Sequence, residues 1–189
     1  MQVREQEVIW RDVLDEASFE QSLVVTGPGG VEITGTVLIA EEGVPLRVDY
    51  SIQCDEGWST RHVEVRQSYG GEIRTLRLGH DGAGNWTRDG EEAPDLKGCT
   101  DIDLSVSPST NSLPINRLGL EIGASGSIKA AWVKFPTLEV VAAGQGYERL
   151  GERQFRFSSL DSDFQAVIGV DEIGIPIDYA DIWRRIAKR

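Results

Sequence analysis

VPLRVDYSI, residues 44–52, decides the fold class. Val44, Leu46, Val48, Tyr50 and Ile52 alternate with Pro45, Arg47, Asp49 and Ser51. Successive side chains of an extended chain point to opposite faces, so a period of two predicts a strand with one apolar and one polar face. The preceding segment repeats the pattern, with Val31, Ile33, Gly35, Val37 and Ile39 on one face. EEG at 41–43 separates the two as a turn. Strands joined by so short a connection run antiparallel.

The same reading extends in both directions. Turn signals stand at GPGG (27–30), DEG (55–57), GG (70–71), DGAGN (81–85) and RDG (88–90). Between and beyond them, strands are expected at about 19–26, 60–69, 72–79, 102–107, 127–135, 138–149, 153–158 and 164–171. Helical signals are few. Thr110, Asn111 and Ser112 are plausible caps ahead of Leu113 and Pro114. Tyr179, Trp183 and Ile186 form a stripe that predicts a C-terminal helix. No repeat or linker divides the chain, so residues 1–189 are expected to form a single domain. So many strands cannot stay flat, because strand twist makes a large sheet curl or close. The expected fold is mainly β: one large curved antiparallel sheet with one or two short helices, including the C-terminal one.

Bulk properties narrow the function. The chain has 189 residues, 40% hydrophobic and 26% charged, which suits a globular protein. No apolar run approaches the roughly 18–20 residues of a spanning helix. MQVREQEVIWRDVLDE is too polar for a secretory signal, so a cytoplasmic location is expected. A net charge of -12 argues against nucleic acid and anionic bilayers as partners. The basic ending IWRRIAKR reads as decoration of a terminal helix, or as a lipid or partner contact. Cys54 and Cys99 are expected to be free and buried, and neither sits in a CxxC pair.

Several strands carry polar residues on their apolar face. Arg61, Gln67 and Tyr69 share a face with Val63 and Val65; Arg74 and His80 share one with Leu76 and Leu78; Gln145 and Tyr147 continue Val141 and Ala143. Burying such groups costs free energy unless they are paired, so they mark either a wetted rim or the lining of a pocket for an amphiphile. The strand near 127–135 is apolar on both faces, with Ile128, Ala130 and Trp132 opposite Val133 and Phe135. It must be covered on both sides, and the C-terminal helix is the expected cover.

Other chemistries find little support. DGAGNWTRDGEE places Asp81, Asn85 and Glu92 at EF-hand positions, but Ala83 and Trp86 break the motif, leaving a hairpin loop. Asp101 and Asp103 share a strand face, about 6–7 Å apart, close enough for an acid/base pair or simply solvated. Cys99 with His62 or His80 and Asp101 has no motif behind it. GPGG lacks the spacing of a dinucleotide loop, and no cofactor or metal is expected. Trp58, Trp86 and Trp132 fit either core packing or stacking on sugar rings or acyl chains.

The blocks CDEGWSTR (54–61), GHDGAGNW (79–86), LKGCTDIDLSVSPSTNSLPINRL (96–118), AWVKFPTLEV (131–140), QGYER (145–149) and VDEIGIPIDYADIWRR (170–185) together resemble the glycolipid-binding family, long known as a domain of unknown function. The resemblance implies a half-barrel like the bacterial lipoprotein carriers, which hold an acyl chain in a greasy concavity. It offers Trp58, Arg61, Trp86, Cys99, Asp101, Asp103, Asn111, Arg117 and Trp132 as candidate site residues and no catalytic ones. Gln145 and Tyr147 join them from the strand pattern. On this reading Asp103 and Asn111 accept from hydroxyls, and Leu113 and Ile115 add apolar contact. Arg117 either forks a carboxylate or phosphate of the ligand, or pairs internally with Asp101 or Asp103. The expected function is a non-enzymatic binder of a small amphiphile, a glycolipid or fatty acyl group, without stable membrane insertion. The alternatives are a hydrolase or isomerase on a sugar or lipid head group working through Asp101 and Asp103, and a protein-interaction module using a sheet edge or the terminal helix.

Overall fold

The computed structural model describes residues 3–14 and 18–189. Fifteen strands join one curved sheet that does not close. Eight of them, β1 (Arg4–Asp12), β2 (Phe19–Gly27), β3 (Gly30–Glu41), β4 (Val44–Cys54), β5 (Thr60–Tyr69), β6 (Glu72–His80), β7 (Trp86–Arg88) and β8 (Glu91–Glu92), form an antiparallel meander. The chain then runs through β9 (Asp101–Leu104), a 3-10 turn (Ser109–Asn111) and the short helix α1 (Ser112–Leu118). A second meander follows: β10 (Ser125–Lys134), β11 (Glu139–Gly151), β12 (Gln154–Ser159), β13 (Gln165–Val170), β14 (Pro176–Tyr179) and β15 (Trp183–Lys188). β15 pairs with β1 and welds the two meanders, leaving β8 and β9 as the sheet edges.

The 44–52 stretch is β4, and its apolar residues Leu46, Val48, Tyr50 and Ile52 all point inward. Tyr50 lies opposite Gly35 of β3. A Cβ at Gly35 would fall 2.5 Å from the Tyr50 ring, so the glycine is what lets the ring lie flat across its neighbour.

The architecture differs from the expected one in three places. The C-terminal helix is absent: the segment forms β14 and β15, turned by Ala180 and Asp181 at positive φ. Spacing of three and four between Tyr179, Trp183 and Ile186 imitated a helical stripe, but the unpaired edge of β1 recruits Trp183–Lys188 as a strand. Tertiary pairing of this kind overrides local pattern. The basic ending is largely spent in ion pairs, Arg185 and Lys188 with Asp171, and Arg189 with Glu7. Second, Arg4–Asp12 is a strand whose Gln6, Val8 and Trp10 face inward; its charged outward face hid the alternation. Third, β9 pairs with β10 in parallel, because residues 105–124 make a crossover long enough to return the chain in the same direction.

The strand apolar on both faces is β10, and the sheet covers itself. One face of the β9–β11 edge, with Ile102, Leu104, Ala131 and Val133, packs into the core formed by Ile33, Val37, Val48, Ile52, Val63 and Val65. Each such side chain contributes about 1.5–3 kcal/mol by leaving water. The other face, with Ile128 and Ala130, packs with Ile115, Tyr147, Phe155, Phe157 and Ile168. No helix among the described residues is long and apolar enough to cross a membrane.

Candidate functional site: a cleft beside the second core

On the inner face of the second meander, strand register brings Asp103 beside Trp132 and Trp132 beside Val141. It sets Gln145 beside Ser159, and Tyr147 beside Phe157. β11 carries Ala143 where a larger residue would fill the space, with Ala142 and Gly144 beside it along the cleft wall. A cleft of about 610 Å³ results, within the usual range for a small-molecule site. Phe157, Phe164, Tyr179, Ile182 and Trp183 form its greasy side, while the 105–111 segment brings Ser107 and Asn111 to the other.

The polar groups are organised as a chain. Asp103 Oδ2 accepts from Gln145 Nε2 at 2.7 Å, and Oδ1 accepts from Thr110 Oγ1 at 3.1 Å. The Tyr147 hydroxyl donates toward Asn111 Oδ1 at 3.0 Å and Gln145 Oε1 at 3.3 Å. Asn111 Nδ2 donates to the Pro108 carbonyl at 3.2 Å. No cation touches Asp103, so burial pushes its carboxyl above the usual range against the opposing pull of the Gln145 and Thr110 hydrogen bonds. Burial and the nearby Asp103 charge likewise push the Tyr147 hydroxyl well up.

Behind this wall lies a second network absent from the sequence reading. Ser107, which lines the cleft, donates to Glu20 Oε1 at 2.8 Å and lies 2.6 Å from the Ser109 hydroxyl. The Tyr50 hydroxyl donates to the same Glu20 oxygen and is 2.8 Å from Ser109 Oγ. Glu20 is fully buried, its Oε2 has no partner, and burial lifts its pKa from 4.5 to about 7. The signal was legible: in FEQSLVVTG, Glu20 and Ser22 share the inward face with Val24.

Comparisons with known proteins place the chain in a family and support the fold. A family model described as "Putative glycolipid-binding" matches residues 7–185. The chain belongs to this family. A crystal structure of a DUF1089 family protein from Pseudomonas aeruginosa superposes with a TM-score of 0.81 at 34% identity, covering 94% of this chain and 95% of that one. No curated protein matches the chain.

For this member of the glycolipid-binding family, the eleven candidate residues separate into two sets. Asp103, Asn111, Trp132 and Gln145 line the cleft, and Tyr147 braces them from behind. The other six lie elsewhere. Arg117 pairs internally, its Nε and Nη2 donating to Asp101 Oδ1 and Oδ2 at 3.0 and 2.6 Å, with Thr100 completing the cluster. Arg61 pairs with Asp55 at 2.6 Å. Trp86 is buried, stacks on His80 with centroids 4.6 Å apart, and donates to the Cys99 carbonyl. Trp58 caps the edge of the main core in a turn with positive φ. Of Arg61, Arg74 and Gln145, which share inward strand positions, only Gln145 reaches the cleft; Arg74 donates to the Thr137 carbonyl and Gln67 to that of Pro136. Leu113 and Ile115 are core residues. Cys54 and Cys99 are free and buried, their thiols pushed by burial to about 12 and about 11. Asp81 closes the DGAGN hairpin by accepting from the Ala83 and Asn85 amides. Among the described residues, no His, Cys, Asp and Glu side chains group in a way that could hold a metal ion.

Proposed function

We propose that the protein binds an amphiphile, a glycolipid or a molecule of that kind, in the cleft between the 105–111 segment and β10–β14. The observation that carries this reading is the composition of the wall: aromatic and aliphatic side chains on one side, and the Asp103–Gln145–Asn111 chain on the other. The family description points the same way. An alkyl chain gains about 0.8 kcal/mol per methylene removed from water, so each carbon the cleft covers adds to affinity before association costs. The cleft volume is ample for such a chain with a single sugar ring.

A reaction through Asp101 and Asp103 is the weaker reading. Arg117 and Thr100 occupy both oxygens of Asp101, which takes one of the two carboxylates out of acid/base chemistry. Native mass spectrometry of gently purified protein, together with octyl glucoside titration followed by the fluorescence of Trp132 and Trp183, tests the binding reading. Retained lipid or a saturable fluorescence change is expected. A protein that carries no lipid and gives no saturable change with the glucoside is not an amphiphile binder.

A further inference from the structure

Among the described residues, the charged side chains lining the cleft are Asp103 and Asp161, and no lysine, arginine or histidine lines it. Lys134, 5.1 Å from the Trp132 ring, is held by Glu139 at 3.1 Å. The polar groups also differ in depth. Gln145 and Asn111 are 5% and 7% exposed and lie as deep as the apolar Phe157 and Trp183 at 8% and 5%, whereas Phe164 at the mouth is 43% exposed. Asp161, on the same loop as Phe164, is exposed and accepts from the Gly144 amide at 2.7 Å. The deep end thus offers polar partners to a head group, and an apolar path leads from it to the mouth past Phe164.

We propose, building on the amphiphile reading above, that the cleft takes an uncharged, hydroxyl-rich head group first. The head seats against Asp103, the alkyl chain leads out past Phe164, and anionic head groups are refused. Asp103 spends one acceptor position on each oxygen, on Thr110 and on Gln145, and keeps the others for ligand hydroxyls. The second N–H of the Gln145 and Asn111 amides is a donor a few ångströms away. Adjacent acceptor and donor match the paired hydroxyls of a sugar ring, each of which gives one hydrogen bond and takes another. Trp132, beside Asp103 in the register, offers a flat apolar face to the C–H side of such a ring. A carboxylate, sulfate or phosphate at the same place would meet the Asp103 charge with no cation to offset it. Asp103 is thus the specificity-determining residue.

Octyl glucoside and octyl sulfate, each below its micelle threshold at pH 8, separate the possibilities by calorimetric titration. The glucoside should bind at least tenfold more tightly than the sulfate. Asp103→Asn should weaken the glucoside about tenfold and bring the two ligands close to parity, while Asp161→Asn at the mouth leaves the glucoside within twofold. An octyl glucoside bearing an environment-sensitive fluorophore at its chain end should emit as in water when bound to the unmodified protein. Equal binding of the two octyl ligands, a loss that follows Asp161 instead of Asp103, or a blue-shifted chain-end fluorophore would each overturn the head-first arrangement and leave the amphiphile reading standing. Failure of every probe to bind would reject both.

Discussion

The two halves of the sheet use one architecture to opposite ends. In the first meander, inward residues of β3–β6 are large and β-branched, and the rolled-in β9–β11 edge fills the space they leave. In the second, the small Ala143 stands where that filling would occur, and a cleft stays open. Curvature alone therefore does not make a binding site; the side-chain volumes on the concave face do. The contrast extends to polar groups. β9, at the seam, carries Asp101 with every oxygen bound to Arg117 or Thr100, and two residues on, Asp103 with acceptor capacity to spare.

That seam gives the most severe way to test the contrast. Arg117→Ala leaves Asp101, whose side chain is 1% exposed, without its countercharge. Breaking a buried pair from one side costs about 3–5 kcal/mol, and a melt should show it. Asp103 has no such partner, so Asp103→Asn should melt close to the parent. Comparable losses in the two variants would mean that Asp103 is as structural as Asp101, and the division between a sealed and an open face would fall.

Glu20 is the exception within the filled half, and pH exposes it. Its folded pKa of about 7 lies above its ordinary 4.5. The folded state thus holds a proton that the unfolded chain releases between those values. Stability owed to this group is complete below about pH 4.5 and declines as pH rises through 7. That difference in pKa corresponds to about 3 kcal/mol, fully developed by about pH 8. Glu20→Gln keeps the shape without the charge. Denaturant melts of the two proteins should be parallel at pH 4.5, with the variant gaining up to about 3 kcal/mol on the parent at pH 8. A difference that does not change with pH would mean that Glu20 is already ionised in the fold and is stabilised by Tyr50 and the two serines.

How much of this was legible follows from where the physics is local. Period-two alternation in 44–52 and 60–69 is written in adjacent residues, and both segments are strands within two residues of the expected ends. What failed was long-range. Nothing near Trp183 says that β1 lacks a partner, and nothing near Leu104 says whether residues 105–124 bring the chain back parallel or antiparallel. The site divides in the same way. Gln145 and Tyr147 announced themselves as polar residues continuing an apolar face. Arg117 and Asp101 are polar and closely placed in sequence too, but the ion pair that consumes them depends on α1 folding back over β9. A motif ties residues together; only packing says which of them face one another and which face a guest.

The smallest expected effect on stability is also the sharpest test of the opening contrast. Ala143 lines the cleft and pairs with Ala130 across the strands. Ala143→Leu adds three carbons to a space that is already empty, so no neighbour has to move and the melt should shift by less than about 1 kcal/mol. Octyl glucoside affinity should nevertheless fall at least tenfold, because the added side chain occupies the room the ligand needs. The same enlargement in the filled half, Ala131→Leu, meets a closed core and should cost about 1–3 kcal/mol with little effect on ligand. If the two variants instead destabilise equally, the apparent cleft is a packed part of the molecule like the rest. If Ala143→Leu binds the glucoside unchanged, the amphiphile sits somewhere other than between β11 and the 105–111 segment.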